Sequence, residues 1–350
     1  MRRYIGFLFF IIIPFLSLLT GCMDQKDIVY DSEVYSFVGQ VETPGSGKGL
    51  AITDTLVIVA DNETGLTMIS IKDKTAPSIV SVHRTILFPF GVDLIPTEHV
   101  ALVAEGSGNV GVYSYENPDS LFIFLTIGSE SAQDVIFTQL FVPSITDTAE
   151  SMFLFIADRN SDLLGYLLRP GVDMFGNLAW SADPIGQVNS AGTGRGIDFV
   201  DGYIYLASGE WGLHILDARD PLNIIAIGGE FGGMDTNGYA RDVEVHGDIA
   251  YLADDQKGLQ IIDISNKDSL AILANVDTRT SLIDLAVSED GNRVFTATTT
   301  SGLYIFDVSD PTDPKVIQRY DTPNARAVET DGDYVYVIDQ YDGLIILKEN

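Results

Sequence analysis

Four cations stand at one fixed distance ahead of four short polar positions. Lys48 precedes Asp61, Arg195 precedes Ser208, Arg241 precedes Asp254 and Arg326 precedes Asp339, each by thirteen residues. Two chemistries suit that pattern. A carboxylate facing a cation across a hairpin makes an ion pair that ties two strands together. A row of cations on one rim makes an electropositive mouth that captures an anionic or polar ligand in an otherwise acidic protein. Ser208 replaces the aspartate of the other copies, so Arg195 has the weakest claim to an internal partner. The following loop carries Gly209-Glu210-Trp211 and so places one of only two tryptophans beside it. With Tyr239 and Arg241, that tryptophan offers a platform for a sugar or a peptide side chain. The candidate ligand-binding residues are therefore Lys48, Arg195, Glu210, Trp211, Tyr239, Arg241 and Arg326.

Catalytic signatures are thin by comparison. No G-x-S-x-G, H-E-x-x-H, phosphate loop or EF-hand phrase occurs. The histidines His83, His99, His214 and His246 show no ligand spacing. No metal site, cofactor or catalytic residue is assigned, although acidic loops offer oxygen ligands to calcium. The alternative function is hydrolysis by funnel carboxylates, with Glu105, Asp158 and Glu210 as candidate acids and bases. Two insertions, at 139–151 and 169–181, lengthen one stretch of the chain. The second contains Met174-Phe175-Gly176-Asn177-Leu178-Ala179-Trp180, apolar enough to be a partner contact or to fold back on its own sheet.

The elements that position these residues are legible as a repeat. Val59-Ala60-Asp61 leads to Gly65-Leu66, Leu206-Ala207-Ser208 to Gly212-Leu213, and Leu252-Ala253-Asp254 to Gly258-Leu259. Thr296-Ala297-Thr298 leads to Gly302-Leu303 and Val337-Ile338-Asp339 to Gly343-Leu344, with degenerate copies ending at Asn109-Val110 and Asp162-Leu163. Successive copies lie 41 to 53 residues apart, the period of propeller blades. The fifth copy divides into strands at 241–245, 250–254, 259–264 and 270–276, separated by turn residues. Phrases such as Leu56-Val57-Ile58-Val59 are continuously apolar, so both faces of those strands must be covered. Asp201-Gly202, Asp290-Gly291 and Asp331-Gly332 read as hairpin turns. The seventh copy stops after its third strand, while Tyr35-Ser36-Phe37-Val38-Gly39-Gln40-Val41 reads as a fourth strand without a blade. Pairing the two closes a ring with no open edge. The expected fold is all-β: a seven-bladed β-propeller of four-stranded antiparallel blades over 34–350, its C-terminal blade completed by the N-terminal strand.

Leu259-Gln260-Ile261-Ile262-Asp263-Ile264-Ser265 and Leu303-Tyr304-Ile305-Phe306-Asp307-Val308-Ser309-Asp310-Pro311 resemble the LVIVD-repeat family of bacterial propellers. The likeness runs over about 34–350 and is weakest in copies two and three. It implies a β-propeller in a cell-envelope setting and transfers no catalytic residue or substrate.

The first residues address the compartment. Met1-Arg2-Arg3 followed by an apolar run over 4–19 is a secretory signal pattern. Leu19-Thr20-Gly21-Cys22 resembles the bacterial lipobox, which implies cleavage before Cys22 and acylation of its thiol. Cys22 is the sole cysteine, so disulfides are excluded. The expected organisation is a signal peptide at 1–21, a tether at 22–33 and the propeller thereafter. The expected location is extracytoplasmic, with outer-membrane or surface display favoured. Membrane contact is expected through lipidated Cys22 alone. A net charge of −30 argues against nucleic acid. A monomer meeting an unidentified protein or glycan of the cell envelope is expected, acting as a binding or interaction scaffold.

Overall fold

The computed structural model describes residues 33–350 other than 86, 143–149, 189–191, 229–231 and 256. The expected signal peptide and lipobox, and all but the last residue of the expected tether, lie outside the described residues. Every described strand belongs to one of seven antiparallel sheets. The innermost strands are Gly49–Ile52, Val92–Ile95, Ala132–Leu140, Ile197–Val200, Asp242–His246, Leu282–Val287 and Ala325–Asp331, taken as blades 1 to 7. Each touches the next, and that of blade 7 touches that of blade 1, so the ring is closed.

The continuous apolar phrases are the middle strands. Leu56–Ala60, Val100–Glu105 and Tyr334–Asp339 are buried along nearly their whole length, whereas the outermost Ala271–Val276 is half-exposed. The burial comes from the neighbours. Seven apolar clusters occupy the seams, and each draws on two adjacent blades. At the closing seam Val57, Val59 and Ile69 of blade 1 pack on Tyr336, Ile338, Leu344 and Ile346 of blade 7. Each such side chain contributes about 1.5–3 kcal/mol on leaving water, so no blade is stable alone and the ring folds as a unit.

The recurring glycine of the repeat has a steric cause. It follows the second strand at φ near +80°, with φ 82° at Gly258 and 74° at Gly302. A Cβ there would meet the carbonyl oxygen of Val276 or Tyr320 in the outermost strand at 2.0 and 2.2 Å. Blade 3 fills the position with Asp162, at φ 62°, which explains how a degenerate copy keeps the turn. Asp201-Gly202 joins two strands with both φ values positive, the hairpin geometry expected of that pair.

The first described strand, Tyr35–Val41, pairs antiparallel with Gly343–Glu349, with Phe37 opposite Leu347 and Val41 opposite Leu344. It is the fourth strand of blade 7. Blade 4 is the irregular one, its third strand Leu213–Asp217 pairing with Ile225–Ile227 at one end and Gly233–Met234 at the other. We call the edge where innermost strands begin the upper face. The chain therefore enters blade 7 from the lower face, and residue 48 follows a crossing of the upper face.

Candidate functional site

The innermost strands converge on a central funnel of about 430 Å³. Its mouth is lined by Lys48, Phe90, Gln133, Arg195, Arg241, Ile283 and Arg326, one residue from each blade. The four spaced cations are thus brought together.

They are not paired with the acids thirteen residues on. Asp61 accepts hydrogen bonds from the Gly45 N–H and from the Thr64 and Thr67 hydroxyls at 3.0, 3.0 and 2.8 Å. Asp339 accepts from the N–H groups of Asn324, Tyr341 and Asp342. These buried aspartates tie the upper loops, which is why the type recurs. Arg241 alone meets an acid, Asp255, one residue beyond the expected partner, at 3.1 Å. Arg326 donates to the Gln340 amide oxygen at 2.8 Å. Arg195 donates to Gln133 Oε1 at 2.9 Å and to the Tyr239 hydroxyl at 2.5 and 3.0 Å. Among the described residues the Lys48 ammonium has no hydrogen-bond or ion-pair partner; burial, and then the charge of Arg326, push it below the usual lysine range. Burial does the same to Arg326.

Tyr239 organises the other two cations. Its ring lies 4.7 Å from the Arg241 guanidinium and 5.3 Å from that of Arg195. Burial pushes its hydroxyl up, but hydrogen bonds from Thr193 and Arg195 and the charges of Arg195 and Arg241 outweigh that and leave it below the usual tyrosine range. Glu210 and Trp211 do not join this group. Both lie on the upper face but outside the funnel lining, and Trp211 is 43 % exposed. Their loop packs the Gly209 backbone against the Tyr239 ring, and the Ala240 N–H donates to the Gly209 carbonyl at 2.8 Å. The glycine turn directs the side chains of residues 210 and 211 outward, which spacing alone does not reveal.

The three acids considered for hydrolysis do not meet either. Glu105 accepts from the Tyr113 hydroxyl at 2.5 Å and from the Leu87 N–H at 3.2 Å. Asp158 accepts four backbone N–H groups, those of Glu130, Ser131, Asn160 and Ser161. Asp158→Ala, which strands those donors, is expected to cost about 3 kcal/mol in chemical denaturation, while Glu210→Ala is expected to be neutral within about 0.5 kcal/mol.

Below the cations lies a set of carboxylates that sequence reasoning missed. Asp134, Asp242 and Asp284 follow the rim residue by one position, and Asp93, Asp198, Glu244 and Glu329 by three; all line the funnel. Most reach across a seam to an N–H of the next innermost strand. Asp134 accepts from Ile197, Asp242 from Leu285 and Asp284 from Val328 in an upper tier. Asp93 accepts from Phe137, Asp198 from Val245 and Glu244 from Val287 in a lower tier. The free inner edge of each strand would otherwise carry unsatisfied donors, so the acids act as blade-to-blade staples. Glycine makes room for two of them: a Cβ on Gly91 or Gly196 would stand 2.4 or 2.3 Å from a carboxylate oxygen of Asp134 or Asp242. The available signal was an acid between apolar residues in a first strand, as in Val92-Asp93-Leu94 or Val243-Glu244-Val245.

Their environment raises their pKa values. Burial pushes Asp93 and Asp198 up to about 6. Burial, then the charge of Asp242, raises Asp284 well above the carboxylate range, and Asp242 is itself raised by burial. Burial raises Asp134 and Glu244 well above it as well, helped by Asp242 and by Glu329 respectively. Glu329 goes furthest of those with a defined value, to about 8, through burial and the charges of Asp242 and Asp93. Among the described residues no group of three or more His, Cys, Asp or Glu is arranged to hold a metal ion.

Comparison with known proteins adds the fold and the repeat. No curated protein sequence matches the chain. The crystal structure of the WD40 β-propeller domain of Doa1 matches with a TM-score of 0.60 at 11 % identity, over 89 % of this chain and 96 % of that one. At that identity the likeness is one of fold alone. A model of the LVIVD repeat matches residues 237–278, 283–322 and 324–347, which are blades 5, 6 and 7. The chain is a seven-bladed β-propeller that carries LVIVD repeats in its last three blades.

Proposed function

We propose that the protein is a lipid-anchored propeller of the cell envelope that serves as a binding scaffold, taking an anionic or polar group of its partner into the upper mouth of the funnel. The observation that carries this reading is the state of three rim cations. Lys48, Arg195 and Arg326 face one cavity and, among the described residues, none is in an ion pair with a carboxylate, in a chain of net charge −30. Cations held without counter-ions lose hydration and regain it in an incoming anion, so they favour carboxylate, phosphate or sulfate groups on a protein or glycan. The acids beneath are engaged across the seams by backbone N–H groups, and burial raises their pKa values above the ordinary carboxylate value.

The test is a screen of anionic glycans and acidic peptides, followed by titration calorimetry on any hit. Lys48→Ala, Arg195→Ala and Arg326→Ala are each expected to weaken binding about tenfold or more. Affinities unchanged in all three variants would remove the funnel mouth as the site. Trp211→Ala, outside the funnel, is expected to leave that affinity unaltered.

A further inference from the structure

The lower face carries one feature that the funnel does not use. In blades 1, 2, 4, 5 and 6 the third and fourth strands are joined by short polar turns. Each is fixed by an acidic or amide side chain, Asp73, Asn117, Asp220, Asn266 or Asp310, accepting the N–H two residues on. Blade 3 departs from this. Between Asp162–Arg169 and Ser181–Val188 it inserts a hairpin that exposes four large apolar residues: Val172 at 66 %, Met174 at 89 %, Phe175 at 81 % and Leu178 at 36 %. Phe141, in the other lower loop of the same blade, is exposed as well.

The hairpin is built. Asp173 accepts from the N–H groups of Phe175 and Asn177 and from the Asn177 amide, and the Asp173 N–H donates to the Asn177 carbonyl. Trp180 roots it, buried against Phe124 at a ring separation of 5.5 Å. The earlier alternatives for this segment therefore divide: its end folds back, and its tip is presented.

The described chain begins on the same face. Tyr35 lies opposite Glu349 at the lower end of blade 7. Blade 7 stands across the ring from blade 3. From Cys22 to Glu33 the chain spans at most roughly 40 Å, so an acyl group at Cys22 keeps the lower face close to the bilayer.

We infer that the blade 3 hairpin is a second membrane contact, its Met174 and Phe175 side chains entering the surface of the bilayer that holds Cys22. The inference rests on the lipid-anchor reading. It adds to Cys22 a second point of attachment across the ring, so the lower face lies along the membrane and the funnel mouth opens away from it. Apolar tips on an acidic body suit a neutral, zwitterionic phospholipid surface, since Asp290, Asp333 and Glu349 on this face oppose an anionic one.

The test uses the full chain, processed in cells and reconstituted into phosphatidylcholine vesicles. Met174→Cys supplies a single thiol besides Cys22, and Ser107→Cys supplies one on the upper face, each labelled with a polarity-sensitive fluorophore. The probe at 174 is expected to shift to the blue and to lose about half its emission when doxyl-labelled lipid is included, and the probe at 107 to do neither. A probe at 174 that behaves like the one at 107 overturns the contact, whether the hairpin then faces water or another protein. Mass spectrometry of the N-terminal peptide separates the two readings. An unacylated Cys22 removes the anchor and the contact together, whereas an acylated Cys22 with a water-exposed probe at 174 removes the contact only.

Discussion

Replacing Gln318 by leucine is expected to lower the unfolding free energy by about 3–5 kcal/mol, far more than any surface change on the same strands. Gln318 sits on the outermost strand of blade 6, Lys315–Tyr320, and is 5 % exposed. Its amide oxygen accepts the N–H groups of Val34 and Tyr35 at 2.8 and 2.7 Å, and its nitrogen donates to the Tyr35 carbonyl at 2.7 Å. One side chain thus satisfies three backbone groups of the strand that closes the ring. Leucine fills similar space and satisfies none. Tyr35 itself packs edge-on against Phe295 at 5.3 Å, so loosening the strand also disturbs the seam between blades 6 and 7. Gln40 provides the contrast, since its amide donates to the Asp342 carbonyl at an exposed position and Gln40→Leu is expected to cost less than about 0.5 kcal/mol. Denaturant unfolding of both variants measures the difference, and limited proteolysis should find 33–48 newly cleavable in Gln318→Leu. Equal losses in the two variants would show that burial of these donors does not hold the ring shut.

Stability is expected to fall as pH rises from about 4 to 8, the reverse of the usual rise for a protein rich in paired carboxylates. The funnel acids are the cause. Their folded pKa values lie above the ordinary carboxylate value, with Asp93 and Asp198 at about 6 and Glu329 at about 8. Between roughly pH 4 and 8 the folded chain therefore holds more protons than the unfolded one, and each unit of displacement corresponds to about 1.4 kcal/mol. That stabilisation is complete below the unfolded value and is lost as pH rises through the folded values. At the acid end, Asp290, held down to about 2 by hydrogen bonds from Ser288 and Asn292, works in the opposite sense. The optimum therefore lies near pH 4, between the two effects. Glu329→Gln removes the most displaced of the acids with a defined value, and is expected to gain about 2–3 kcal/mol at pH 8 and less than about 1 kcal/mol at pH 5 in urea unfolding. A gain of equal size at both pH values would assign the effect to packing instead of titration.

These two expectations differ in how far they could be read from the chain. The segment 35–41 was identifiable as the missing fourth strand because the seventh copy ends one strand short, and a ring tolerates no unpaired edge. That Gln318 receives it was not identifiable, since the contact spans 283 residues between strands of different blades. In the fifth copy the strands read at 241–245 and 270–276 lie at Asp242–His246 and Ala271–Val276, because the turn residues between them leave little latitude. The cations at 48, 195, 241 and 326 were found by their spacing, which is a property of one blade.

Asp255 and Gln340 meet Arg241 and Arg326 within one blade, through loops whose conformation spacing does not fix, whereas the partners of Arg195 and the tiers of acids below belong to the seams between blades. The sequence by itself determined the repeat, its count, the closing strand and the set of cations that must share one rim, because local periodicity and turn chemistry fix strands within about forty residues. Only the tertiary structure decided that Arg241 meets Asp255, that Glu210 and Trp211 turn outward, and that alternating acids of the first strands bond across to the next blade. The reason is that pairing within a blade depends on the conformation of the loop after the second strand, and pairing across a seam on the rotation from one blade to the next, and neither is encoded in the spacing of a single repeat.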